Sequence, residues 1–271
     1  MTTPTNSSGS PRRLRRHPLK ERYAKKGYVA GTFVEIPSPQ LVELLGLAGF
    51  DFVVIDREHG ALDLERCEEL IRAASASGIC PMVRVAACDP VAIRQPLDMG
   101  AAGVHVPQIN SAAMARLAVR SALFHPRGER GMQPYVRAAS YRNYPTAEYL
   151  REVNEETLVV LHLEGREGIA AFDEIAAVEG VGVAFLGPYD LSQSLGIPGQ
   201  VDSPLVKDTM RAAVERAGVR GIAVGTFCDE VRTAMEWRKL GVTYLTVSVD
   251  AHIFLSSARR LASELRDAME G

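Results

Sequence analysis

Two carboxylates, an arginine and a histidine stand where separate short apolar runs of this chain end, and together they could generate and hold an enolate. Glu164 closes the run 158–164. Asp190 follows the run 183–187 in Gly187-Pro188-Tyr189-Asp190. Both are hard oxygen ligands, and two carboxylates plus water suit Mg²⁺ or Mn²⁺ while leaving positions open for a bidentate 2-oxo acid. Arg84, near the end of a third run, could join such a cation in stabilising charge on the enolate oxygen. His59, in Asp56-Arg57-Glu58-His59-Gly60, is a candidate proton shuttle near neutral pH, with Asp98 or Asp56 to orient it. Each has a simpler explanation alone: a carboxylate after a strand is often a helix N-cap, and an exposed arginine often a weak ion-pair partner. What favours a site is that all these types gather at the same ends of different strands.

The elements that would position them read as alternating strands and helices. Strands are expected at 29–36, 52–56, 81–85, 103–107, 158–164, 183–187, 222–226 and 244–248. Most are nearly continuous apolar runs, as in parallel strands covered on both faces. Amphipathic patterns at 39–48, 64–77, 91–99, 112–123, 169–178, 205–217, 230–240 and 253–269 fill the gaps, and glycines such as Gly49, Gly78, Gly100 and Gly241 stop several of them. Eight such units match an α/β fold of the (β/α)8 TIM-barrel type, whose chemistry sits at the carboxyl ends of the strands. The competing doubly wound sheet lacks its Gly-rich first turn here. The connection 124–145 is unusually long, and loops of that length are usually functional.

Composition narrows the chemistry. The 271 residues carry a net charge of −2, which gives no basic field for nucleic acid or an anionic membrane. No apolar run approaches the roughly 20 residues of a spanning helix. Residues 1–18 are polar and basic and are expected to form a disordered tail, with a single barrel domain over 19–271. Cys67, Cys80, Cys88 and Cys228 form no C-x-x-C pair and are expected to be reduced in a cytoplasmic protein. None of the five lysines falls at a strand's carboxyl end, so a Schiff-base nucleophile is not expected. The loops after strands seven and eight lack the glycines of a phosphate cradle.

The segments 52–60 (FVVIDREHG), 81–85 (PMVRV), 97–101 (LDMGA), 126–131 (PRGERG), Leu163-Glu164 and 185–192 (FLGPYDLS) make the chain resemble the HpcH/HpaI aldolase family of metal-dependent class II pyruvate aldolases. The likeness runs from about Leu19 to Ala262. It implies a barrel of the phosphoenolpyruvate/pyruvate type that cleaves a 4-hydroxy-2-oxo acid reversibly to pyruvate and an aldehyde, with Mg²⁺, Mn²⁺ or Co²⁺. By that resemblance Glu164 and Asp190 are the metal ligands and Arg84 contacts the pyruvyl oxygen. His59 is the base acting through water, and Asp98 is its partner. Gly187, Pro188 and Tyr189 lie against the substrate. The family also implies a homo-oligomer, a hexamer built as a trimer of dimers, with sites near subunit boundaries and the C-terminal helix on a neighbour. His162 stands where many members have Gln, so it either adds a ring nitrogen near the metal or shifts a hydrogen bond; the hydrogen bond is the expectation. A synthase or transferase using the same 2-oxo-acid enolate is the alternative, and a non-catalytic binding protein the third.

Overall fold

A computed structural model describes residues 19–270. The eight strands close into a parallel barrel in sequence order. They are β1 (Val29–Val34), β2 (Phe52–Asp56), β3 (Cys80–Arg84), β4 (Gly103–Val106), β5 (Leu158–His162), β6 (Val183–Leu186), β7 (Ala223–Cys228) and β8 (Tyr244–Val249). Closure is made by β1 against β8, with a register irregularity between Gly31 and Phe33.

The helices are α1 (Leu19–Lys26), α2 (Pro39–Leu47), α3 (Leu64–Ser77), α4 (Pro90–Met99), α5 (Ala112–Ala122), α6 (Thr146–Glu156), α7 (Arg166–Ala170), α8 (Phe172–Ala176), α9 (Pro188–Ser194), α10 (Pro204–Arg220), α11 (Val231–Lys239) and α12 (Asp250–Glu270). Side-chain oxygens of Ser38, Asp63, Asp89, Ser111 and Ser203 cap α2, α3, α4, α5 and α10. Left-handed Gly78 and Gly100 end α3 and α4.

The alternation of each strand sorts its residues into two layers. Val53, Ile55 and Val83 face outward and pack on Val42, Leu45, Leu70 and Ile71 of α2 and α3. Phe52, Val54, Met82, Val160, Phe185 and Tyr244 fill the interior. The same inward phase carries Asp56, Arg84 and Glu164 to the carboxyl-end mouth. Leu19 of α1 joins the interior layer at the opposite end, and Arg22 holds the helix there through the carbonyls of Asp51 and Gly78.

Several expectations need correction. The helix expected at 169–178 is two short ones meeting at Ala171. The sequence reading missed α6, and Glu164 and Gly187 lie just past their strands. The long connection is largely ordered: it holds a 3₁₀ turn at Arg137–Arg142, and Phe124 and Ala139 pack with Tyr149 and Val153 of α6. None of its residues lines the barrel mouth. The expected tail, 1–18, lies outside the described residues. Among the described residues no helix is long and apolar enough to cross a membrane, and all four cysteines are free.

Candidate active site

The loops after the strands enclose a cavity of about 330 Å³ at the carboxyl ends. Its wall includes His59, Arg84, His162, Glu164, Gly187, Pro188, Tyr189 and Asp190, so eight of the ten residues expected from sequence meet here. Asp56 and Asp98 are the exceptions.

Asp56 lies beneath the wall, fully buried at the end of β2, one strand from Arg84. Arg84 donates from Nε to Oδ1 (2.8 Å) and from Nη2 to Oδ2 (2.5 Å), a bidentate fork. Asp56 Oδ1 also accepts the backbone N–H groups of Glu58 (3.0 Å) and His59 (3.4 Å). Asp56 therefore fixes the arginine and the loop that carries His59, rather than the His59 ring. Arg84 Nη1 lies 3.1 Å from Glu58 Oε2, and its guanidinium covers the Phe33 ring. Burial pushes the Asp56 carboxyl up, but the hydrogen bonds and charge of Arg84 outweigh it and hold the group below the usual carboxylate range.

A stability prediction follows. Asp56→Asn takes the bidentate counter-charge from a nearly buried guanidinium and leaves it only Glu58, so stability at pH 7 should fall by about 3 kcal/mol, the lower end for breaking a buried pair. Because the folded-state value is depressed, the stabilisation is present above the ordinary carboxylate range and lost as pH falls through the depressed value. Urea titrations should show the gap between wild type and Asp56→Asn closing at acid pH.

Glu164 is 2% exposed. Its Oε1 accepts the backbone N–H of Gln108 (2.9 Å), which adopts a left-handed conformation, φ 56°, that non-glycine residues seldom take. Its Oε2 lies 3.4 Å from His162 Nδ1. Burial raises the Glu164 carboxyl; His162, the Gln108 amide and Arg84 together bring it below its ordinary value. Gly187 is needed beside it, since a Cβ there would sit 2.6 Å from Glu164 Oε2. Asp190 sits in the first turn of α9, whose N-cap is Gly187, so it is not the helix cap. Its carboxyl is raised by burial and then by the charge of Glu164.

This donor set fits a divalent cation. Two carboxylates repel each other across one cavity, and a cation between them would relieve that. Among the described residues no group of three or more His, Cys, Asp or Glu side chains is arranged to hold a metal. Mg²⁺ commonly takes only one or two carboxylates and completes its shell with water or substrate. His162 adds no third ligand, because its Nε2 is 2.9 Å from His105 and its Nδ1 faces Glu164.

The exposed His59 ring has no hydrogen-bond partner among the described residues. Tyr189 donates its hydroxyl to Asp229, at 3.0 Å from both carboxylate oxygens. Burial, then Asp229, pushes that phenol up to about 12. Asp98 is not in the wall: at the end of α4 it accepts from Arg130 Nη2 (2.6 Å), with Arg94 at 3.8 Å. The sequence reading missed Glu35, Phe227 and Asp229, which also line the wall, and the Gln108 amide. Glu35 and Asp229 stand at the ends of β1 and β7, a position that could have flagged them. Asp250 accepts the N–H groups of Glu35 and Ile36 and ties down the loop after β1.

Fold and site together define a (β/α)8-barrel enzyme with a carboxylate pair, an anchored arginine and a free histidine at its mouth. The chain belongs to the HpcH/HpaI aldolase/citrate lyase family, which it matches over residues 30–257. It is 33% identical over 248 residues to a hydroxypyruvate/pyruvate aldolase of Pseudomonas aeruginosa, covering 92% of each chain. Among solved structures, an HpcH/HpaI aldolase/citrate lyase family protein from Burkholderia cenocepacia superposes with TM-score 0.87 at 32% identity, covering 93% of this chain and 100% of that one. The citrate synthase SbnG superposes with TM-score 0.82 at 32% identity, covering 92% and 98%.

Proposed function

We propose that this chain is a carbon–carbon lyase that reversibly cleaves a 4-hydroxy-2-oxo acid to pyruvate, or a close 2-oxo acid, and an aldehyde. The observation that carries this is the convergence of Glu164, Asp190, Arg84 and His59 on one cavity in a chain of this family. Glu164 and Asp190 hold Mg²⁺, Mn²⁺ or Co²⁺. When bound, the cation supplies Lewis-acid polarisation of the 2-oxo acid.

The protein's own groups do the rest. Arg84, locked by Asp56, faces the oxygen on which negative charge develops. Gly187 and Pro188 bring backbone against the substrate carboxylate, with Tyr189 beside them. His59, through water, takes the 4-hydroxyl proton as the C3–C4 bond breaks, and the enolate then collects a proton at C3. The free cysteines fit a cytoplasmic enzyme.

Assembly belongs to the same reading. Apart from Asp250, no residue of α12 is buried, and Phe254, Leu261, Leu265 and Met269 form an exposed apolar stripe. A second copy covers that stripe, in the hexamer the family resemblance implies. Light scattering should give a multiple of 29.4 kDa; a 29.4 kDa monomer at micromolar concentration contradicts the assembly.

A synthase joining the same enolate to another acceptor is the second reading, favoured by the likeness to the citrate synthase. Pyruvate release from a panel of 4-hydroxy-2-oxo acids supports the lyase. No release from any of them, with turnover of a 2-oxo acid and an acyl donor, would transfer the function to the synthase.

A further inference from the structure

Three polar rings lie inside the barrel beneath Glu164, where such interiors carry mostly branched aliphatic side chains. Tyr244 stands on β8, His105 on β4 across the barrel, and His162 on the adjacent β5, two residues beyond the one paired with His105. All three are at most 2% exposed. The Tyr244 hydroxyl is 2.8 Å from His105 Nε2, and His105 Nδ1 is 2.9 Å from His162 Nε2. His162 Nδ1 completes the line, 3.4 Å from Glu164 Oε2. Phe185 stacks on His162 and Phe52 on Tyr244, with centroids 4.4 and 4.3 Å apart, which restricts ring rotation.

Hydrogen-bond polarity can run only one way through this line while both rings are neutral. An ionised carboxylate accepts and never donates, so His162 must carry its proton on Nδ1. Its Nε2 is then an acceptor, so His105 must donate from Nδ1. That leaves His105 Nε2 as an acceptor, and the Tyr244 O–H must donate to it. The reversed order would leave the phenol proton without an acceptor, because among the described residues His105 is the only hydrogen-bond partner of that hydroxyl. Burial keeps Tyr244 protonated and, with His162 and Arg84 nearby, keeps His105 uncharged.

We propose that Tyr244 and His105 are positioning residues that set the tautomer of His162, so that a fixed Nδ1–H faces Glu164 and holds the carboxylate in one orientation toward its cation. Only the last clause rests on the metal reading given above. With the Gln108 amide on Oε1 and His162 on Oε2, each carboxylate oxygen has one donor. Without the Tyr244 hydroxyl only the Glu164 carboxylate still opposes reversal, and a reversed line would turn the His162 Nδ1 lone pair toward Glu164 Oε2.

The test has two arms. Nitrogen-15 spectra of metal-free wild type at neutral pH should show His105 and His162 protonated at Nδ1 and bare at Nε2. With six histidines in the chain, single substitutions can assign them. An Nε2 proton on either ring, alone or beside an Nδ1 proton, overturns the proposal. In the second arm Mn²⁺ is titrated into four full-length proteins: wild type, Tyr244→Phe, His162→Gln and the double variant. Tyr244→Phe should lower affinity by about 10-fold, the lower range for groups that support a metal ligand. An amide has no tautomer to lose, so the same change in the His162→Gln background should cost less than about 2-fold. Equal losses in both backgrounds mean that Tyr244 acts by packing, and overturn the proposal. If wild type binds no Mn²⁺, the metal reading fails, and the spectra decide the tautomers.

Discussion

Glu164→Ala should abolish Mn²⁺ binding at concentrations that saturate the wild type, and turnover should fall by ~10³-fold or more. A cation polarising a carbonyl oxygen stabilises the transition state by several kcal/mol, and about 4 kcal/mol corresponds to roughly 10³-fold in rate. The substitution removes more than a ligand. It takes away the acceptor that justifies the left-handed Gln108 and leaves His162 Nδ1 facing a void. Metal titration beside kinetics separates these effects. A variant that still saturates with Mn²⁺ at the wild-type concentration would remove Glu164 from the ligand set, whatever its activity.

His59→Ala should behave differently in kind. The ring is exposed at the mouth, its place fixed by the backbone bond to Asp56, which the substitution keeps. Fold and metal affinity should therefore be unchanged, while cleavage falls about 10²- to 10⁴-fold, the usual contribution of a general acid–base group. KM for the 4-hydroxy-2-oxo acid should move little, because the loss lies in the transition state. A variant with wild-type kcat would place proton transfer elsewhere in the cavity.

Much of this site was legible before any coordinates, because strand alternation and strand-end polarity are sequence properties. Asp56, Arg84 and Glu164 share the inward phase of their strands, and the apolar runs before them mark where the mouth begins. Other features depend on side chains from distant elements. Gln108 acts through its backbone N–H, so its residue type carries no signal. His105 and Tyr244 sit within buried runs, where each reads as an ordinary core ring; only closure of β8 on β1 brings Tyr244 opposite β4. Asp98 looked free for His59, yet Arg130, far along the chain, holds it. The segment 124–145 looked like an active-site loop by its length, but Phe124 and Ala139 bury themselves against α6, a helix whose few apolar residues hid it.

The central claim is that this mouth makes an enolate of pyruvate, and enolisation needs no aldehyde. The direct measurement is loss of the pyruvate methyl proton signal in deuterated water, with protein and Mg²⁺ and no second substrate. The exchange should be fast with metal, should stop when the protein is stripped by excess chelator, and should return when Mg²⁺ or Mn²⁺ is restored. Exchange that continues unchanged in the metal-stripped protein, or no exchange with metal present, would contradict it.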